Sequence, residues 1–510
     1  MDKNQTNIVV IMADFMGALA LPAYGNVIAN TPNLRALAED GVVFENAYCN
    51  SPVCAPSRAS MLTGLLPSRI GVYDNGCDFS SGIPTFAHRL RLAGYRTVLS
   101  GKMHFIGPDQ LHGFESRLTP DQVPSDFGWS PPPGGHWVEK SYSPYPNLDA
   151  VVEAGIAKRS LGIDFDEEVA FTSTRTIYDI ARDDDPRPFM LVASFIQPHH
   201  PLVTTQTYWD RYAEVDIPMP EVPAIPVQEM DLLSRALYQF GNMDDSRITD
   251  EIIRRARRAY YGMLSHIDDK IGELRKALHE TGLEKNTLIV VTSDHGNMLG
   301  ERGMWGIRFP FEAGTRVPLI FHQPDEISPR RVSDIVSLVD LAPTLIDLAG
   351  IDVTVEHPSG FDGLSLRDDL FGNRKSDPQR TVFVEYCGEG VPTPWFMVRH
   401  GTCKLIHCEA FGTLLFDLTH DPEELHNLIS DPAYSEVRHT LMNVLSERWD
   451  REEILSHATQ SRCRRDLVYR AHARGDSPVW DYAMNIDPVS RYQRNYREPW
   501  QATEARALLR

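Results

Sequence analysis

Positive charge is scarce in this chain: 50 Lys and Arg stand against 70 Asp and Glu, a formal net charge of −20. Binding phosphates along a nucleic acid needs clustered cations, so a nucleic-acid partner is excluded, and an anionic ligand requires a local positive pocket set against that background. Cysteine is sparse as well. The seven (Cys49, Cys54, Cys77, Cys387, Cys403, Cys408, Cys463) are odd in number, scattered and without a CxxC pair, which is the usage of free thiols in a reducing compartment. The apolar run at 7–13 is too short to span a membrane and follows no basic segment with a cleavage site, so the expectation is a cytoplasmic protein with no membrane partner. No internal repeat is visible, nor any low-complexity segment beyond a short Pro-Gly run.

What is present is length and a set of polar residues at strand ends. A chain of 510 residues buries a sizeable core and is expected to form a large α/β domain with a smaller partner. Buried strands of the parallel-sheet kind are expected at 8–12, 189–195 and 287–292, and a long core helix capped by Thr249 at 249–280. Another strand and helix are expected at 316–321 and 332–348. Asp14, His199, Asp294 and His295 each follow one of these strands, at the carboxyl edge where open α/β sheets bind ligands. Standing alone, Asp14 reads first as a turn or helix-cap residue. Beyond about 352 the pattern turns to short strands and then helices, dividing the chain into 1–350, 351–465 and an aromatic-rich tail at 466–510.

The densest motif is Ser51-Pro-Val-Cys54-Ala-Pro-Ser57-Arg58-Ala-Ser-Met-Leu-Thr63-Gly64. It places Cys54 at or just before a helix N-terminus, where free backbone N–H groups favour an anion, with Arg58 one turn on. Cys-x-Pro-Ser-Arg with the following Thr-Gly resembles the signature of type I sulfatases of the alkaline-phosphatase superfamily. Gly94-Tyr-Arg-Thr97-Val-Leu-Ser-Gly101-Lys102-Met-His104 resembles their second signature, and Pro198-His199-His200-Pro201 their Pro-His-x-Pro element. The resemblance implies an alkaline-phosphatase-like fold, a large mixed sheet between helices with a smaller C-terminal α+β subdomain. It implies a sulfuric ester hydrolase in which Cys54 is oxidised to formylglycine (3-oxoalanine) by a formylglycine-generating maturase. Its hydrate attacks sulfur through one hydroxyl and releases sulfate through the other. One divalent metal is implied, held by Asp14, Cys54, Asp294 and His295; a His among carboxylates favours Mn²⁺, with Ca²⁺ the alternative. The roles implied are proton acceptor for Asp294, charge balance for Arg58 and Lys102, intermediate breakdown for His104 and leaving-group protonation for His199. Two positions depart from the family. Asp14-Phe15 stands where two consecutive Asp are usual, and Ile307 where a Lys is usual, with Arg308 next to it as a substitute cation.

Further stretches (Pro67-Ser-Arg-Ile-Gly-Val-Tyr-Asp-Asn75, Gly107-Pro-Asp-Gln-Leu-His-Gly-Phe-Glu115, Asp126-Phe-Gly-Trp129, Glu385-Tyr-Cys-Gly-Glu-Gly390 and Trp480-Asp-Tyr482) resemble choline sulfatases. That likeness implies Asn75, Trp129 and Glu385 as substrate-binding residues, the aromatic face and the carboxylate suiting a quaternary ammonium. Gln197, where those enzymes carry His, keeps an aryl sulfate open as substrate. A phosphonate monoester or phosphodiester hydrolase of the same superfamily is the alternative function, and a non-catalytic binding protein a third. The tail implies a homo-oligomer, dimer or tetramer, with residues 107–150 forming part of the pocket wall.

Overall fold

The fold is taken from a computed structural model that describes residues 5–130, 148–352 and 360–484. At its centre lies β1 (Asn7–Ala13), every residue of which is buried. After it come β2 (Val42–Tyr48), helix α1 (Cys54–Thr63), β3 (Arg96–Gly101), the short β4 (Ser116–Arg117), α2 (Leu161–Arg182) and β5 (Phe189–Phe195). The long α3 (Asp250–Glu280), β6 (Thr287–Thr292), β7 (Arg316–Val317), β8 (Leu319–His322), β9 (Arg330–Ser337) and α4 (Leu341–Leu348) complete this part.

Among the described residues the strands form one nine-stranded mixed sheet in the order β7-β2-β8-β6-β1-β5-β3-β4, with β9 on the free side of β2. β6, β1, β5, β3 and β4 run parallel, whereas β7 and β8 run antiparallel to β2. Alternation along β1 divides the core. Val9, Ile11 and Ala13 face Tyr260, Met263 and Ile267 of α3 on one side; Ile8, Val10 and Met12 share the other with Met61 and Leu62 of α1 and Leu345 of α4. Each such aliphatic side chain removed from water contributes about 1.5–3 kcal/mol, which is why a strand covered on both faces reads as an unbroken apolar run. α3 begins where expected, Thr249 Oγ1 accepting from Ile252 N at 3.3 Å.

The C-terminal part is an antiparallel meander, β10 (Thr381–Tyr386), β11 (Trp395–His400), β12 (Cys403–Cys408) and β13 (Gly412–Asp417), followed by helices that end in α5 (Arg451–His472). It abuts the segment leading into α1, since Glu385 N donates to Asn50 O and Asn50 Nδ2 to Phe383 O, both at 2.9 Å. No described helix is long and apolar enough to cross a membrane.

Two expectations need correction. The segment 332–348 is not one helix: its first part continues strand β9, paired parallel with β2, and only Leu341–Leu348 is α-helical. β-Branched Val332, Ile335 and Val336 favour the strand, and the pairing edge of β2 supplies it. The boundary at 465/466 falls inside α5, and Arg465 is an anchor of that helix. It holds Asp74 through two nitrogens at 2.9 and 2.8 Å, with both side chains at most 2% exposed. Burial works against both charges, yet Arg465, then Arg462, holds the Asp74 carboxyl below the usual carboxylate range. Removing Arg465 leaves the buried Asp74 with Arg462, 3.6 Å away, so Arg465→Met is expected to destabilise the fold by about 3 kcal/mol, the low end for a broken buried pair. Denaturant unfolding of the variant measures it, and a change under about 1 kcal/mol would show the pair to be dispensable.

The tail was expected against a neighbouring subunit. As far as residue 484 it packs on its own chain: Asp481 accepts from Ser125 N and Oγ at 2.8 and 2.9 Å, and Trp480 meets the Phe127 ring edge-on at 5.2 Å. Tyr492, Tyr496 and Trp500 lie outside the described residues, as do residues 131–147 of the expected pocket wall.

Candidate active site

Register brings the site together. Ala13 of β1 pairs with Phe195 of β5, Met12 with Thr292 of β6, and Gly101 of β3 with Ser194, so four parallel strands end side by side. Asp14, Lys102, and Ser293 to His295 follow immediately, with His199 a few residues past the end of β5, at one edge of the sheet. β3 can end there because Gly101, at φ +100°, lacks a Cβ that would lie 1.9 Å from Ser194 O. Cys54 opens α1 opposite this edge and is 2% exposed.

One oxygen or nitrogen of each of Asp14, Asp294 and His295 and the sulfur of Cys54 lie within 4.8 Å of one another, all buried. Cys54 Sγ is 3.4 Å from His295 Nε2, 3.6 Å from Lys102 Nζ and 3.8 Å from Asp14 Oδ1. His295 Nδ1 faces the Gly296 carbonyl at 2.9 Å. A carbonyl only accepts, so Nδ1 carries the proton and the Nε2 lone pair points into the cluster, the arrangement of a metal-ligating imidazole. Two carboxylates and that lone pair, in a water-poor site, fit a small divalent cation.

Two cations border the cluster. Arg58 spans the carboxylates, Nε 2.9 Å from Asp294 Oδ2 and one terminal nitrogen 3.1 Å from Asp14 Oδ2. Its other nitrogen donates to Lys102 O at 2.6 Å and Ser194 Oγ at 2.9 Å. Lys102 Nζ is paired with Asp14. Burial alone would raise the Asp14 carboxyl, but Lys102, then Arg58, brings it below the ordinary range. For Cys54 burial and Asp14 act in the same direction and push the thiol well up, so the unmodified side chain is a neutral thiol at neutral pH.

His199 and His104 flank the cluster. Desolvation lowers both, His104 to about 3 with Lys102 adding to the effect, and His199 well below its usual value with His200 adding. Both are neutral imidazoles near pH 7. His104 Nε2 meets Asn75 O at 3.1 Å, and Nδ1 has no partner among the described residues; Trp129 stands 6.0 Å from the His104 ring.

The remaining residues singled out in the sequence are placed differently. Asn75 supports α1, its Oδ1 accepting from Ala55 N at 2.9 Å. Glu385 is 1% exposed and accepts from Ser68 N (2.7 Å), Ser68 Oγ (2.7 Å) and Trp449 Nε1 (2.6 Å), so its carboxylate ties the C-terminal part to the Pro67 turn. Arg308, at φ +86°, pairs with Glu389 at 3.5 Å and lines a small apolar cavity with Phe15, His200 and Trp305.

The roles of Phe15, noted in the sequence only as a departure from the family, and of Ser293 were not read from the sequence. Phe15 sits at φ +66°, strained for a bulky residue, and packs edge-on against His199 (4.3 Å) and His295 (4.8 Å). Its carbonyl accepts from Tyr260 Oη at 2.6 Å. Ser293 Oγ ties the strand ends, lying 2.7 Å from Ala13 O and 2.8 Å from His295 O, with its single proton available to either carbonyl. The adjacency of Ser293 to Asp294 was the one clue available.

The Sulfatase family matches residues 6–351, and the C-terminal region of N-sulphoglucosamine sulphohydrolase matches residues 300–451. The chain belongs to the sulfatase family. A choline-sulfatase of Rhizobium meliloti (strain 1021) is 40% identical to this sulfatase, over 97% of each chain. An arylsulfatase of Clostridium perfringens is 31% identical, covering 88% of this sulfatase and 95% of its relative. Among solved structures, the phosphonate monoester hydrolase of Agrobacterium radiobacter superposes with a TM-score of 0.68 at 24% identity, over 90% of this chain and 96% of its own. The last shares the fold. The activity of this sulfatase is sulfate ester hydrolysis.

Proposed function

We propose that the chain hydrolyses the sulfate monoester of a small alcohol, with choline sulfate its preferred substrate, at the cluster around Cys54. The observation that carries this reading is the convergence of Cys54, Asp14, Asp294 and His295 within 4.8 Å, bordered by Arg58 and Lys102. Cys54 Sγ stands where an oxygen of the oxidised side chain would lie; formylglycine, made by a maturase, supplies a nucleophile whose ester with sulfate can be released again. Asp14, Asp294 and His295 would hold one divalent cation, Mn²⁺ by the chemistry of the set, which supplies Lewis-acid polarisation of a sulfuryl oxygen.

The chain's own residues account for the rest. Lys102 and Arg58 hold the Asp14 carboxyl below the ordinary range and offset the charge of the sulfuryl oxygens. Asp294 takes the proton of the attacking hydroxyl. His104 and His199 border the cluster as neutral imidazoles, so His104 serves by accepting the proton of the remaining hydroxyl as sulfate is released, and His199 passes to the departing alcohol a proton that it first takes up from solvent. Trp129 beside His104 offers an aromatic face for a quaternary ammonium, and the 40% identical choline-sulfatase favours the same substrate. Glu385, with its carboxylate committed to Ser68 and Trp449, acts by holding the wall.

Phosphonate monoester hydrolysis is the second reading, favoured only by the shared fold. Steady-state rates on choline sulfate, an aryl sulfate and a matched phosphonate monoester separate the possibilities. Choline sulfate is expected to give the highest kcat/KM, and a preference for the phosphonate would overturn the assignment. We also propose a cytoplasmic homo-oligomer, a dimer or tetramer assembled through the C-terminal tail, 466–510.

A further inference from the structure

We propose that Asp121 is a positioning residue for catalysis, holding the turn that carries Lys102 and His104 toward Cys54; this rests on the reading of those two residues as site groups. His104 has φ +58°, a left-handed conformation that is uncommon for a residue with a Cβ and that its surroundings hold in place. The surroundings here are one carboxylate. Asp121 Oδ2 accepts from Met103 N and His104 N, both at 2.9 Å. Successive N–H groups converge in this way where a left-handed residue follows a residue of ordinary hand, and the concavity so formed favours an anion.

The carboxylate is itself locked. Arg117 reaches Asp121 Oδ2 at 3.0 Å and spends its other nitrogens on Thr119 O (3.1 Å), Gln110 O (3.1 Å) and Gln110 Oε1 (2.9 Å). Asp121 Oδ1 accepts from Val123 N at 3.2 Å, and the side chain is 5% exposed. Arg117 belongs to β4, paired with β3, so the loop that returns from β4 braces the end of the strand from which the turn departs. The same loop holds the preceding residue, Thr119 Oγ1 accepting from Gly101 N at 2.8 Å. Neither Asp121 nor Arg117 contacts Cys54, Asp14, Asp294 or His295 through any hydrogen bond or ion pair; Asp121 acts on the site through the backbone of 103–104 and through its charge beside His104 and Arg58.

Asp121→Asn tests the proposal, because the amide keeps the shape but replaces an anion with a group that presents its own N–H. In the full-length, matured protein, kcat is expected to fall about 10²-fold, the scale of an ångström of misplacement, with KM within threefold and the melting temperature within a few degrees of wild type. A crystal structure of the variant is expected to show the His104 ring displaced. Asp121→Glu, which restores the charge one methylene farther out, is expected to recover part of kcat, and it carries the same test should Asp121→Asn fail to fold. His104→Ala is measured beside them. Loss of kcat in His104→Ala with an Asp121→Asn rate within twofold of wild type would overturn the positioning role alone; wild-type rates in both would overturn the reading of His104 as well.

Discussion

Cys54→Ala is expected to lower kcat for any sulfate ester by about 10⁵-fold or more, the scale seen when a covalent nucleophile is removed from an enzyme that depends on one. The fold is expected to tolerate the change. Cys54 makes no strong hydrogen bond: its sulfur lies 3.4–3.8 Å from His295, Lys102 and Asp14, and α1 is held instead by Asn75 Oδ1 at Ala55 N and Ser57 Oγ at Asp294 O. Chemical state matters as much as identity. Burial and Asp14 keep the plain thiol protonated, so protein in which Cys54 escapes oxidation is expected to be as inactive as Cys54→Ala. Peptide mass spectrometry of the 54-containing segment, set against specific activity across preparations, checks this. Activity that does not track the aldehyde fraction, or that survives in Cys54→Ala, would sink the mechanism.

Stripping divalent cations is expected to abolish turnover and lower the melting temperature, and Mn²⁺ to restore both. The stability change follows from mass action: a cation that binds only the folded cluster stabilises it by about 2.7 kcal/mol at a hundred times its Kd. Chelation is a cleaner test than mutating a ligand. Asp14 neutralises Arg58 and Lys102, both buried, so Asp14→Asn would leave two cations short of a counter-charge and confuse loss of metal with loss of fold. Metal analysis of the active protein, followed by titration of chelated protein with Mn²⁺ and Ca²⁺ while following melting, distinguishes the ions. A chelated protein with full activity would falsify the metal's role.

Much of the site was legible before any fold was known. Strands such as 189–195 and 287–292 are covered on both faces and so read as continuous apolar runs, and Asp294-His295 directly after one of them marks a sheet edge. Cys54 was legible because its neighbours Pro56, Ser57 and Arg58 make a dense motif. What escaped depends on contacts between residues far apart in the chain. Glu385 looked like a ligand for a cation, since nothing in its own segment shows Ser68 and Trp449 closing on its carboxylate. The segment 332–337 looked helical because the free edge of β2 that makes it a strand lies some 290 residues earlier. Asp121 carries no motif, and Arg465 was taken for a domain boundary when it is the buried partner of Asp74.

The residues alone determined the family, the α/β character and the polar groups at strand ends, because each is a local pattern: apolar runs, the Cys54 motif, an Asp or His just past a strand. Tertiary structure decided which of those groups meet. Strand register brings Asp14, Lys102, Asp294 and His295 to one edge and sets Cys54 against them, whereas the carboxylate of Glu385 is drawn into the packing of the C-terminal part. The physical reason is that burying a charge is tolerable only beside its partners, and those partners are chosen by how strands pair across hundreds of residues.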